Sequence, residues 1–342
     1  MPIRSEAAFV SSTSDTLTVR KASVYPETSV YGFGGGSKQP VVLEHARLRP
    51  GRGFKPLRAA LYFAQRGITQ PTIHAAITAG IVAAINWRHP VTGGQGDEIC
   101  HAPDCSATLR SLEAEGVAIL PQRLTEQVKE MNRFLSDQPV MLSSGERVHR
   151  ERMPPGCTMA DYRLETVLNC PHVLSVANSD FVIRTATRYL GCLPTISTLR
   201  IWWLFPGSRL GASAPSFHRD RDDWRCLKLF VYLTDVDETS GPHHFVRGSH
   251  RTQPELFWCT YDAKTLEKAF GRDAMCVITG TAGTAFLEAT IGLHAGPIPI
   301  RQPRLVLQVG YTLLPRFSRL YKPMEVQSRP AVDKYINRLF IR

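Results

Sequence analysis

The chain has 342 residues, of which 43% are hydrophobic and 21% charged. These are ordinary globular proportions, with length enough to bury a sizeable core in one large domain or two smaller ones. Its net charge of +11 is uneven: residues 1–95 hold eleven Lys/Arg against four Asp/Glu, and the remainder thirty against twenty-six. No dense basic run with interleaved aromatics occurs, so no nucleic-acid partner is expected. The longest apolar stretch, residues 75–87, is too short to span a bilayer and reads as a buried helix.

The N-terminus lacks a charged region followed by an apolar one, so no secretory signal is expected. It is rich in Ser and Thr and poor in acids, which leaves an organelle transit peptide open. The eight cysteines form no CxxC pair, which favours reduced thiols in a cytoplasmic setting. Cys100, His101 and Cys105 resemble half of a zinc site, but no second half follows.

Taken in order, residues 1–40 are small and polar, and the run Gly34-Gly35-Gly36 has no strand before it and no GK[ST] after it. It reads as a linker, not a phosphate loop. Leu57, Ala60, Leu61 and Ala64 fall at helical spacing, and Pro71 opens a second helix through Ala84. The Gly-, Pro- and Asp-rich segment from His89 to Asp104 reads as a boundary. An N-terminal extension, residues 1–100, would be partly disordered and then helical; residues 101–342 would form the main domain.

Downstream, a helix should end at Gly116 and a short strand at Pro121. Leu124 to Leu135 is an amphipathic helix with Val128, Met131, Phe134 and Leu135 on one face. A further helix runs from Ser179 to Leu190 and closes at Gly191. Strands then dominate: Ile196–Phe205, the nearly unbroken apolar run Leu227–Leu233, Gly283–Glu288 and Leu305–Leu314. A run buried on both faces suits the second of these. Helices first and strands afterwards imply an α+β fold built on a β-sandwich or jelly roll.

The chemistry gathers around Phe217-His218-Arg219-Asp220. On a strand, residues two apart share a face, so His218 and Asp220 project together. An imidazole and a carboxylate side by side are two-thirds of the facial triad that binds non-haem iron(II). By itself the pair is a weak signal, since Arg219, Arg221, Asp222 and Asp223 also suit a solvated charged loop. His294 follows the strand ending at Glu288, and Arg304 heads the next one. An arginine at a strand end is apt for bidentate capture of a carboxylate such as the far end of 2-oxoglutarate. Arg301 is the competing anchor.

Three segments, FHRDRDD at 217–223, KLFVYLTDVDETSGPHHFVRGSH at 228–250 and GLHAGPIPIRQPRLVLQ at 292–308, resemble the phytanoyl-CoA dioxygenase-like branch of the iron(II)- and 2-oxoglutarate-dependent oxygenases. LEAEGVAILP at 112–121 also looks like that family's opening. The resemblance spans residues 106–342. It implies a double-stranded β-helix (jelly roll, cupin-like) core with flanking helices, and Fe(II), 2-oxoglutarate and O2 as cofactor and co-substrates. His218 and Asp220 match the proximal iron ligands, His294 the distal one, and Arg304 the 2-oxoglutarate arginine. Members often carry a hydroxyl residue two positions after the distal histidine; this chain has Gly296. Related halogenases lack the carboxylate ligand, so Asp220 favours hydroxylation or another oxidation over halogenation; the reaction expected is hydroxylation of a C–H in a small organic substrate, with release of succinate and CO2.

Two other readings stay open at this level: a non-oxidative, metal-dependent cupin-like enzyme using the same ligands, or a catalytically silent binding protein. His243, His244 and His250 are expected to serve structure, with Asp222 the substitute should Asp220 not ligate. Asp235 and Asp237 read as turn residues. Thr234 and the strand Ser197–Trp203 are unassigned contributors, and Trp202, Trp203 and Trp224 divide between pocket lining and core. The substrate's identity and the oligomeric state are not written in the sequence.

Overall fold

A computed structural model describes residues 48, 53–91, 104–207, 216–252, 254, 259–326 and 332–342. The expected linker at residues 1–40, most of the boundary segment and the Cys100-His101 pair lie outside the described residues. The first helix, α1 (Pro56–Gly67), opens with proline at its first turn, where the missing N–H costs nothing. Its inward face is Ala59, Tyr62 and Gln65, set against Leu48, Phe54 and Phe317. The expected face of Leu57, Ala60, Leu61 and Ala64 is instead turned outward, with Leu57 73% exposed. Apolar residues occur on both sides of this helix, and the Tyr62 ring, under Arg66 at 3.8 Å, decides which side is covered.

Helix α2 (Pro71–Arg88) is capped by the Gln70 side chain, which accepts from the Ile73 N–H at 2.7 Å. The expectation that this stretch is buried does not hold, because Ile85 alone among its residues is buried and Trp87 is 80% exposed. Its apolar character is spread around the helix and meets the body along one edge. There Asn86 donates to the Gly191 carbonyl at 2.9 Å and Val82 touches Gly191.

Helix α3 (Ser106–Glu115) ends at Gly116, whose φ of +87° closes the last turn through an N–H to the Leu112 carbonyl. Then come β1 (Val117–Ile119), α4 (Thr125–Ser136), β2 (Val140–Met141), β3 (Arg147–Val148) and β4 (Met159–Asp161). Helix α4 buries Val128, Met131 and Leu135, with Phe134 partly covered. After α5 (Leu164–Asn169) and α6 (Val173–Ala177), helix α7 (Asp180–Leu190) stops at left-handed Gly191. The remaining elements are β5 (Thr195–Leu204), β6 (Cys226–Tyr232), β7 (His243–Val246), α8 (Ala263–Phe270), β8 (Met275–Ile278), β9 (Ala285–Glu288), β10 (His294–Ala295), β11 (Arg304–Thr312) and α9 (Lys334–Asn337).

Two antiparallel sheets result, one ordered β1-β9-β6-β11-β5-β4-β2-β3 and the other β10-β7-β8. Period-two alternation sorts the long strands cleanly. Leu229 and Val231, Leu305 and Leu307, and Ile201 and Trp203 join the main core, in which side chains from α4, α6 and α7 are also buried. Phe230, Tyr232, Val306, Trp202 and Phe286 point the other way and meet Phe245 and Ile278 of the small sheet. Strand β6 is therefore buried on both faces, as its apolar run implied. The architecture is α+β, a double-stranded β-helix with helices on the outer face of its larger sheet. On the inward face the alternation also places Lys228 and Glu288, paired with each other at one end, Arg304 at the other end of β11 and Gln308 between them, all buried.

A candidate metal centre between the sheets

Phe217 and His218 lie where the chain crosses back between the sheets. Phe217 bridges to Tyr261 and His218 to His294. The second bridge is a reciprocal backbone pair, His218 N–H to His294 carbonyl at 2.9 Å and the reverse at 3.0 Å. Asp220 N–H donates to the Thr290 carbonyl at 2.8 Å. Arg219, between the two side chains that face inward, is buried on the other side. It donates to the Ser249 carbonyl (2.8 Å), the Ile291 carbonyl (2.7 Å) and Thr252 Oγ1 (2.7 Å). The segment is held from behind while His218 and Asp220 project forward.

His218, Asp220 and His294 each offer one ligand atom, and these atoms lie within 4.8 Å of one another. They form the one such cluster among the described residues. His218 Nε2 is 3.6 Å from Asp220 Oδ1, and His294 Nε2 is 3.5 Å from Asp220 Oδ2. Both separations exceed good hydrogen bonds. The other ring nitrogen of each histidine faces the carbonyl two residues earlier, His218 Nδ1 to Ser216 at 3.3 Å and His294 Nδ1 to Gly292 at 3.0 Å. A proton on each Nδ1 satisfies those carbonyls and leaves Nε2 as the basic nitrogen, directed at Asp220. Two imidazole nitrogens and a carboxylate oxygen grouped within 4.8 Å match the donor set of a 2-His-1-carboxylate site.

Electrostatics favour the ligating forms of His218 and Asp220 and the protonated form of His294. Burial, reinforced by the His294 charge, pushes the His218 imidazole down to about 4. Burial opposes ionisation of Asp220, yet Lys228, His294 and His218 outweigh it and hold the carboxyl well below its usual range. Burial likewise opposes a charged His294, but Glu288 and Asp220 raise that imidazole above its ordinary value. Glu288, fully buried on β9, lies 3.6 Å from His294 Nδ1 and 2.5 Å from His243 Nε2. His243 stacks on His294 with ring centres 5.7 Å apart, and burial outweighs Glu288 to keep it below its ordinary value.

His294 lines a cavity of about 410 Å³ together with Arg304, Tyr232, His243, Gly296 and Trp202. Arg304, 3% exposed, heads β11 opposite Leu204. Its guanidinium lies 3.5 Å from where a Cβ on Gly296 would sit, and it hydrogen-bonds the Tyr232 hydroxyl. That hydroxyl also donates to the Ile278 carbonyl at 2.8 Å and accepts from the His243 N–H at 3.1 Å. Gly296 thus leaves room at the arginine, and Tyr232 supplies a hydroxyl there. Arg301 is exposed at the surface, its backbone N–H bonded to the Thr239 carbonyl. Gly241, at φ +66°, lets the chain run against the 297–299 backbone that joins the distal histidine to Arg304; a Cβ there would collide with the Pro297 carbonyl.

The other candidates are placed elsewhere. Asp222 turns away from the triad to Lys228, at 2.8 Å, and to Arg316. His250 Nε2 bonds the Glu113 carbonyl, and His244 meets the edge of Phe217. Asp235 and Asp237 accept turn N–H groups from Ala282 and Thr239, and Thr234 accepts from the Leu305 N–H. Trp202 faces the cavity, Trp203 is core and bonds the Tyr162 hydroxyl, and Trp224 lies by His74. The sequence reading missed Lys228, Tyr232, Glu288 and Arg316. A signal existed for two of them, because Lys228 and Glu288 are single charges inside otherwise apolar buried strands.

No family model matches the chain, and no curated protein matches it by sequence. Among solved structures it is similar to the non-haem alpha-ketoglutarate-dependent carbocyclase SnoK from nogalamycin biosynthesis. That match has 16% identity and TM-score 0.44, covering 60% of this chain and 83% of that one. HygX from Streptomyces hygroscopicus, with nickel and 2-oxoglutarate bound, matches at 14% identity and TM-score 0.45 over 69% of this chain and 97% of that one. EctD from S. alaskensis, with 2-oxoglutarate and 5-hydroxyectoine, matches at 20% and 0.46 over 71% and 86%. At such scores the case rests on this chain's own side chains. Among the described residues no helix is long and apolar enough to cross a membrane.

Proposed function

We propose that the protein is an iron(II)- and 2-oxoglutarate-dependent dioxygenase that hydroxylates an unactivated C–H of a small organic substrate. One observation carries the reading. Two imidazole Nε2 atoms and the Asp220 carboxylate converge within 4.8 Å, and His294 opens onto the same cavity as the buried guanidinium of Arg304. His218, Asp220 and His294 would hold the iron, and Arg304 the far carboxylate of the keto acid. Bound there with 2-oxoglutarate and O2, the iron supplies the oxidising power for hydroxylation, the keto acid leaving as succinate and CO2.

The chain's own groups do the rest. Carbonyls of Ser216 and Gly292 fix the histidine tautomers. Arg304 offers a planar, always-charged fork suited to a carboxylate, steadied by the Tyr232 hydroxyl. Trp202, Phe230, Phe286 and Val306 give the cavity apolar walls that exclude water from the reacting carbon. Residues 101–342 would form the oxygenase domain, and α1 and α2 of the preceding extension dock on its side.

A screen for substrate-stimulated decarboxylation of labelled 2-oxoglutarate tests the reading. Succinate formation that depends on both O2 and substrate, and that vanishes in His218→Ala, is expected. Turnover of a substrate with no need for keto acid would overturn it in favour of non-oxidative metal chemistry.

A further inference from the structure

Behind the triad lies a buried row of charges that metal binding alone does not require. Lys228 is 4% exposed on β6, between two carboxylates. Its ammonium contacts Asp220 Oδ2 on one side and Asp222 Oδ2, at 2.8 Å, on the other. The remaining oxygen of Asp222 takes the Arg316 guanidinium. Signs alternate along the row, and all four side chains are at least largely buried. Burying this many charges costs free energy unless each is paired, and an apolar residue at 228 would continue the strand's own pattern. Stability therefore gives no reason for the row.

We propose that Lys228 is a positioning residue for the metal carboxylate: it occupies Oδ2 so that Asp220 presents a single oxygen to the cation. Without it, both oxygens of Asp220 lie within reach of the same ion, since each already sits 3.5–3.6 Å from one of the two ligating Nε2 atoms. A carboxylate that binds through both oxygens takes an extra coordination position. The proposed reaction needs three positions beyond the protein ligands, two for the keto acid and one for O2. Asp222 and Arg316 hold the ammonium in place, which explains why the second carboxylate of the FHRDRDD segment faces away from the triad.

The inference rests on the proposed iron site, and its test separates the two. Cobalt(II) is titrated into the purified full-length protein under anaerobic conditions, and its visible d–d absorption reports affinity and coordination number. Lys228→Met keeps the length of the side chain and removes the charge. Its cobalt affinity should rise roughly 10–100-fold, because a cation beside the ion is gone and the carboxylate gains a second bond to it, and the d–d band should change in position and intensity as the coordination number increases. Near-UV circular dichroism checks that the variant is folded. Asp222→Asn leaves Lys228 an acceptor but loosens its placement; it should shift the band in the same direction by less, and it serves if Lys228→Met does not fold. A folded Lys228→Met with wild-type band and affinity overturns the inference. So does an unfolded Lys228→Met paired with a wild-type-like Asp222→Asn. A wild-type chain that takes up no cobalt, or keeps it in His218→Ala, overturns the iron site itself and the inference with it.

Discussion

The interior of the β-helix and the N-terminal helix pair invert each other's chemistry. Between the sheets Asp220, Asp222, Lys228, Glu288 and Arg304 are all buried. On α1 and α2, Leu57, Phe63, Ile73 and Trp87 are exposed. Residue type alone would predict the opposite in both places. What separates them is the supply of partners. Each buried charge near the centre meets an opposite charge or a polar group, which reduces the desolvation cost. The helix pair instead meets the body along narrow edges, through Asn86 to Gly191, Arg221 to the Arg66 carbonyl and Arg58 to the Arg316 carbonyl.

The largest effects are expected at the centre. His294→Ala removes a proposed iron ligand at the wall of the cavity and should abolish succinate formation altogether, while near-UV circular dichroism stays native. Next, Arg304→Ala should raise the 2-oxoglutarate concentration needed for half-maximal rate by roughly 10–100-fold, as expected for losing charge-assisted hydrogen bonds of about 1.5–3 kcal/mol. Arg301→Ala, at the exposed position, should leave it unchanged; the opposite pattern would reassign the anchor.

Stability tests sharpen the other half. Met131 is fully buried, and its replacement by Ala should cost about 2–5 kcal/mol in denaturant unfolding. Asp223 is buried, and burial pushes its carboxyl up to about 7 even though it accepts the Leu314 N–H at 2.8 Å. A carboxyl raised in the folded state binds its proton more tightly there than in the unfolded chain. Its contribution is therefore complete at low pH and is lost as pH rises from about 4 through 7. Relative to Asp223→Asn, wild-type stability should fall across that window by about 1.4 kcal/mol per pH unit. Last, Trp87→Ala, despite the size of the side chain, should change stability by less than about 0.5 kcal/mol; a larger loss would mean that something covers the exposed face.

Much of the scaffold could be read from the chain because its signals were local. Gly116 and Gly191 end their helices with left-handed backbone where the pattern placed the ends. The apolar run at 227–233 became a strand buried on both faces because nearly every position in it is apolar. The two-residue spacing of His218 and Asp220 put both on one side. What failed was non-local. The outward turn of Leu57 depends on Phe317, far along the chain, choosing the Tyr62 side of α1. Asp222 could be separated from Asp220 only once Lys228 and Arg316 were known to stand behind it. The Tyr232 hydroxyl at Arg304 depends on how β6 pairs with β11.

The place of β11 in the sheet also sets an order of events. It lies between β5 and β6, pairing with both, although it is the last long strand among the described residues. A ribosome extending this protein exposes β5 and β6 before the strand that joins them exists, with their inner edges waiting. His218 is likewise made well before His294, to which its backbone is pinned. The larger sheet, the second histidine of the cluster and the buried arginine thus become available only well after the segments they join. Long-range pairings of this kind close slowly, so iron captured earlier in synthesis would meet an unfinished site.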